Sequence, residues 1–169
     1  MPVSLYDVAV PSFKKHLHAL DGILDKAIGY AEAKKIKPET LLNARLYPDM
    51  FELTKQIQGC SDFAKASVAR LANVPVPSMP DTETTFGELK ERIAKTLAFL
   101  ETIKPEQMEG AEQRTISIKV GPNDMTFTGQ DYLLHFALPN FYFHAATAYG
   151  ILRHNGLEIG KRDFMRRMG

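Results

Sequence analysis

Apolar residues recur every three or four positions along most of this chain, the period of an amphipathic helix. Val10, Phe13, Leu17, Leu20, Leu24, Ile28 and Ala31 form one stripe, with Lys14, Lys15, Asp21, Asp25 and Glu32 off it. Ser4 and Asp7 have capping-box spacing, Pro11 falls early in the helix, and Lys37-Pro38 marks the stop. The stretch from Pro38 to Pro48 reads as a connector with one short helical turn around Leu41 and Leu42. A second long helix follows, with Asp49 as the expected cap. Its stripe is Leu53, Ile57, Cys60, Ala64, Ser67 or Val68, and Leu71. Asn73, Pro75, Pro77 and Pro80 end it and predict a stiff, extended link. Thr85 and Glu88 repeat the capping-box spacing and open a third helix with Phe86, Leu89, Ile93, Leu97 and Leu100 inward. Lys104-Pro105 closes it.

The period then changes. Ile116, Ile118 and Val120 alternate with Ser117 and Lys119, Gly121-Pro122-Asn123-Asp124 reads as a turn, and Met125 and Phe127 alternate beyond it. This predicts a β-hairpin packed on the helices. Thr128 to Asp131 starts a fourth long helix that ends at Asn155-Gly156, where glycine suits the left-handed position past a helix. A basic, amphipathic tail runs from Lys161 to Arg167. Four stripes of this kind predict an all-α fold, a four-helix bundle spanning residues 1–169 as one domain. The connections after the second and third helices are long enough for a crossover topology, and the hairpin is inserted before the last helix.

Charge and cysteine usage narrow the function classes. Lys and Arg number 21 against 20 Asp and Glu, a net charge of +1. So balanced a chain lacks the basic face of a general nucleic-acid binder. A lone cysteine, Cys60, forms no internal disulfide and no Cys-based zinc site. The start MPVSLYDVAV has no basic n-region, and no apolar run reaches membrane-spanning length. These features give the expectation of a cytoplasmic protein with no membrane or nucleic-acid partner.

The fourth helix carries the candidate chemistry. Its extrapolated inward stripe is Leu133, Phe136 or Ala137, Asn140, Phe143 or His144, Thr147 and Ile151. Asn140 and His144 lie four apart, so they can converge on one ligand. Pro139 removes a helical N–H, frees the carbonyl of His135 and predicts a kink beside them. Tyr142, Tyr149 and Gln56 are further candidates for ligand hydrogen bonds. A plain structural reading stands beside this one, since a buried His or Asn is usually satisfied within the core. His144 is the best-placed general base, but no residue set identifies a reaction, and the sequence leaves open whether this is an enzyme. His16 and His18, two apart, face different sides of one helix. His135 reads as a bundle-edge residue and His154 as a helix C-terminal one. Cys60 reads as a small core residue, and Asp49 and Glu52 as helix N-terminal residues.

One segment, FHAATAYGILRHNGLEIG, is similar to a family pattern of a metal-binding HxxxH followed by Leu-Arg and a terminal Gly. With the layout of the helices and the start MPVSLYDVAVPSFKKHLHALDGILDKA, it resembles the DinB/YfiT-like helical-bundle superfamily, in an uncharacterised branch. Aligned on Leu152-Arg153 and Gly156, the two motif histidines fall on Asn140 and His144. The third expected His, in the second helix, falls near Gly59 within FELTKQIQGCSDFAK. The resemblance thus implies a degenerate metal site that keeps His144 alone, with no metal cofactor expected, since a neutral amide competes weakly with imidazole. It also implies a homodimer. Three readings follow. One is a bundle with an inter-helix pocket that binds a small molecule without the standard metal. Another is a non-catalytic, dimeric interaction protein, for which the aromatics Phe136, Phe141, Tyr142 and Phe143 exceed what one core face needs. The last is a metal-dependent hydrolase or transferase with rearranged ligands, recruiting His16 or His135 to His144.

Overall fold

The computed structural model describes residues 3–165. Arg166 and Arg167 of the basic tail lie outside the described residues.

Helix α1 (Leu5–Lys34) opens with the expected capping box. The Asp7 amide donates to Ser4 Oγ at 3.1 Å, and the Ser4 amide to Asp7 Oδ2 at 3.3 Å. It ends before the Lys37-Pro38 stop because Lys35 turns left-handed, at φ 55°, and the Ile36 amide closes onto the Ala31 carbonyl at 2.9 Å. That closure is usually built with glycine. Helix α2 (Pro38–Leu42) is the short connector turn and buries Leu41 and Leu42.

Helix α3 (Leu53–Leu71) corrects the expected cap. Glu52 occupies the N-cap without a side-chain hydrogen bond, and Asp49 is exposed in the loop before it. The α3 stripe is buried as expected, but so are Gln56, Gln58, Ser61 and Lys65. The reason is that α3 is covered on more than one side, by α4 (Phe86–Thr102), by α6 (Leu138–His154) and by the link between α3 and α4. Helix α4 starts with the Thr85/Glu88 box, as its spacing predicts.

Two single 3-10 turns, Pro105–Met108 and Ala111–Gln113, lead into the hairpin of β1 (Thr115–Val120) and β2 (Asn123–Thr128). The strands pair antiparallel from Thr115↔Thr128 to Val120↔Asn123, leaving a two-residue turn, Gly121-Pro122. Gly121 has φ 57°, the positive value that a tight hairpin turn asks of its first central residue. Ile116 is buried, Ile118 and Phe127 are half-buried, and Val120 and Met125 are exposed. The hairpin therefore packs through its base, and its tip stands in solvent.

The last long helix comes in pieces: α5 (Gly129–Asp131), a π-helical stretch (Tyr132–Ala137) and α6 (Leu138–His154). The irregularity precedes Pro139 instead of following from it. The Leu138 amide reaches back to the Leu133 carbonyl, one residue further than in an α-helix, and Pro139 then starts a new α-helix in its first turn. The wide turn shifts the helical phase. Phe141, Ala145, Ala148 and Leu152 face the core with Thr147 and Ile151, while Asn140 is half-buried and Phe143 exposed. Phe141 meets Phe13 of α1 edge-on at 4.9 Å, which ties α6 to α1. A final short helix, α7 (Lys161–Met165), lies against α1 and buries none of its residues. The result is an all-α bundle with a small hairpin, as the stripes predict.

Candidate site between α3 and α6

Two turns of α3 form the floor of the site. Gly59 has no side chain, and the His144 ring descends into that space: a Cβ at Gly59 would lie 2.9 Å from His144 Cγ. One turn further along, the Phe63 ring stacks on the imidazole at 5.6 Å and 26°. One turn before, Gln56 is 1% exposed and places Oε1 2.7 Å from His144 Nδ1.

This hydrogen bond fixes the chemistry of the ring. Gln56 Nε2 donates to the Phe51 carbonyl at 3.1 Å, which sets the orientation of its amide. Its Oε1 then faces His144 and can only accept, so Nδ1 must carry the proton. In the neutral ring Nε2 is therefore an acceptor, and it has no hydrogen-bond partner among the described residues. Desolvation lowers the His144 pKa below the usual imidazole value; Asp62 opposes this shift and Lys55 adds to it. At neutral pH the ring is an uncharged base with its free lone pair on Nε2.

The other expected ligand residues do not join it. Asn140 turns back onto its own helix, with Nδ2 donating to the Phe136 carbonyl at 2.7 Å. It serves the backbone that the π turn disturbs. Tyr142 and Tyr149 lie on the α1 and α7 side. Tyr142 packs edge-on against His16 at 4.9 Å, and Tyr149 against Phe164 at 6.0 Å while its hydroxyl reaches the Ile159 carbonyl at 3.4 Å. Of the five candidates, only His144 and Gln56 come together.

His16 is buried, donates Nδ1–H to the Ser12 carbonyl at 3.0 Å, and has Phe164 5.2 Å away. His135 is exposed, with Nε2 3.9 Å from Asp131 Oδ1. His18 and His154 are exposed. Cys60 is fully buried and its thiol pKa is pushed far up, so it is an inert core residue. Among the described residues no group of three or more His, Cys, Asp and Glu is arranged to hold a metal ion. The donor set does not fit a three-histidine centre. Near Gly59, where the resemblance implies a third histidine, the His144 ring fills the space, and Nδ1 is spent on Gln56.

A charged cluster that the helical stripes do not predict joins α3, α4 and the link between them. Arg92 is 3% exposed and reaches Asp62 at 2.7 Å, Asp81 at 3.0 Å, Glu83 at 2.9 Å and the Pro80 carbonyl at 3.2 Å. Lys65 adds a bond to Asp62 at 2.5 Å, Lys55 pairs with Asp81, and Gln58 donates to Glu83 at 2.8 Å. These contacts strap the Pro-rich link to α3 and α4. Arg92 lies three residues after Leu89 and four before Thr96 on the buried face of α4, but its charge keeps it out of an apolar stripe. The two acids Asp81 and Glu83 just after Pro80 are the signal the sequence offers. Four surface cavities of 310, 340, 550 and 480 Å³ occur along this link and the helix ends. None of the four is lined by His144, Asn140, Gln56, Tyr142 or Tyr149.

Residues 5–165 match the model of a family described as a domain of unknown function, DUF1993. The chain belongs to this family. A crystal structure of a DinB family member protein from Shewanella denitrificans is similar over 97% of this chain and 93% of that one, at 43% identity and a TM-score of 0.89. The family is thus a DinB-like branch, as the FHAATAYGILRHNGLEIG segment indicated. No curated protein matches the chain. No helix among the described residues is long and apolar enough to cross a membrane.

Proposed function

We propose that this DUF1993 protein binds a small molecule on the α3–α6 face, through His144 Nε2 and without a histidine-ligated metal. One observation carries this reading. Gln56 spends the only ring proton of His144 internally and leaves an unpaired acceptor on a half-buried, uncharged imidazole. Gln56 is the positioning residue, and Gly59 and Phe63 set the plane of the ring. If the ligand is transformed, Nε2 is the atom that takes a proton.

The test is a titration of the 15N-labelled protein with a neutral small-molecule library, read at the His144 ring nitrogens. Binding should move Nε2 and leave Nδ1 protonated. A library that never moves Nε2 rejects the reading. Elemental analysis of untagged protein should give well under one nickel, zinc or iron per chain, and near-stoichiometric metal would reject the metal-free part.

Exposure favours a second reading, in which the face is covered by another copy of the chain. Phe143 is 56%, Phe51 55%, Tyr47 66% and Leu46 42% exposed, and exposed apolar surface of this kind marks interfaces. Leu46 also lies against α6 at Gly150. Light scattering should then give two chains per particle at micromolar concentration. A one-chain mass would reject this reading and leave the first intact.

A further inference from the structure

The surroundings of Nε2 narrow the class of ligand, on the reading that His144 binds one. An unprotonated acceptor is completed by an N–H or O–H donor. The rings packed on the imidazole are those of phenylalanines. Phe63 stacks on the imidazole, and Phe136 lies behind Phe63 at 5.9 Å. Phe143 stands edge-on to the His144 ring at 5.6 Å with 56% of its surface exposed. Phe136 continues to Phe127 of the hairpin at 5.5 Å and to Tyr132 at 5.8 Å, so the rings form a ladder from β2 to His144.

Charge points the same way. Lys55 and Asp62, of opposite sign, are the ionised groups that act on His144. Each is already engaged, Lys55 by Asp81, and Asp62 by Arg92 and Lys65. Among the described residues the site offers an ion no unpaired counter-charge. A flat apolar face with a single acceptor matches a neutral ring that bears a donor, because aromatic pairs gain from edge and offset contacts beyond the area they bury.

We infer that the α3–α6 face binds a neutral aromatic molecule of the phenol or indole class. The ring lies against Phe143 and the aromatic ladder, and its O–H or N–H donates to His144 Nε2.

The experiment titrates the full chain with phenol, indole, toluene, cyclohexanol and benzoate, reading the His144 15N signals and the ring protons of Phe143. Phenol and indole should bind, with Nε2 shifting as its lone pair is engaged. Toluene lacks the donor and should bind about tenfold more weakly, the worth of one net hydrogen bond. Cyclohexanol keeps the hydroxyl but lacks the flat ring, and should also fall behind phenol. Benzoate should leave Nε2 unmoved. Phe143→Ala, a change at an exposed position, should weaken phenol several-fold while the Nδ1 signal still reports the bond to Gln56. Cyclohexanol binding as tightly as phenol would overturn the aromatic assignment and leave His144 as a ligand site. Toluene binding as tightly as phenol would overturn the role of Nε2 in this inference. A His144 signal that responds to protein concentration and to none of the five probes would overturn both this inference and the ligand reading beneath it.

Discussion

Two histidines on opposite sides of α6 look alike and are built differently. His16 and His144 are both removed from water enough for desolvation to lower their pKa, and both hydrogen-bond through Nδ1. His16 bonds the carbonyl of Ser12, one turn away in its own helix, and is enclosed by Phe141, Tyr142 and Phe164. His144 bonds the side chain of Gln56 on another helix, and one ring beside it is exposed. A histidine held by its own backbone and closed in by rings is core. One held by a remote side chain that fixes its tautomer is positioned. Burial and pKa direction do not separate the two; the identity of the partner does.

The largest expected effect is on stability. His16→Ala empties a ring-lined space and should cost about 2–4 kcal/mol. His144→Ala should cost less, about 1–2 kcal/mol, mainly from leaving Gln56 Oε1 unpaired. Urea unfolding at pH 7.5 compares them, and a His144 loss equal to that of His16 would erase the distinction.

Next comes Gly59→Ala, which forces a methyl against the His144 ring. Overpacking costs about 1–3 kcal/mol, offset by up to about 1 kcal/mol from the helix propensity of alanine. In a His144→Ala background the clash is gone, and the same change should stabilise. A double-mutant cycle measures this reversal, and additivity would mean the ring does not rest on Gly59.

Acid should act on the two histidines in the same direction, and more gently. A histidine with a folded pKa below the ordinary 6.5 is uncharged in the native state while the unfolded chain takes up a proton. Its stabilisation is complete above pH 6.5 and is lost as pH falls from there through the lower folded value. His16→Phe should flatten the decline in unfolding free energy between pH 7.5 and 5. His144→Gln should flatten it too, and equal slopes in wild type and both variants would show that neither ring is held neutral.

The smallest effect concerns tuning. Asp62→Asn removes the charge that supports protonation of His144 and should lower its pKa further, whereas Lys55→Met should raise it. His16 should not move in either variant. NMR titration of all ring protons checks both signs together.

Much of the fold was legible because helix stripes and caps are local. Val10, Phe13, Leu17, Leu20 and Leu24 are buried as their spacing says, and the Ser4/Asp7 and Thr85/Glu88 boxes form. Asp49 misled because a good capping residue says nothing about where the loop enters the helix, and Glu52 enters there instead. The site was legible in part. His144 falls on the inward stripe of the fourth helix, and Gln56 is a candidate for the same ligand. Asn140 failed because its inward placement extended a 3.6-residue period through a segment that does not keep it. Tyr142 and Tyr149 failed because α6 is covered on two sides, and helical phase alone does not say which side a half-buried residue serves. The Arg92 cluster joins residues of α3, the link and α4, so its meaning exists only once the link folds back.

The π turn makes the bundle sensitive to length at one place. A π-helical stretch is an α-helix carrying one residue too many, so deleting one residue between Tyr132 and Ala137 would restore an uninterrupted helix. It would also rotate everything before the deletion relative to everything after it by about 100°, the angle one residue spans. With α6 held by its packing on α3, the hairpin would be the part that swings, and Phe127 would leave the foot of the aromatic ladder. A single codon lost would thus strip the far rungs from the ladder while Phe63 and Phe143 stay against His144.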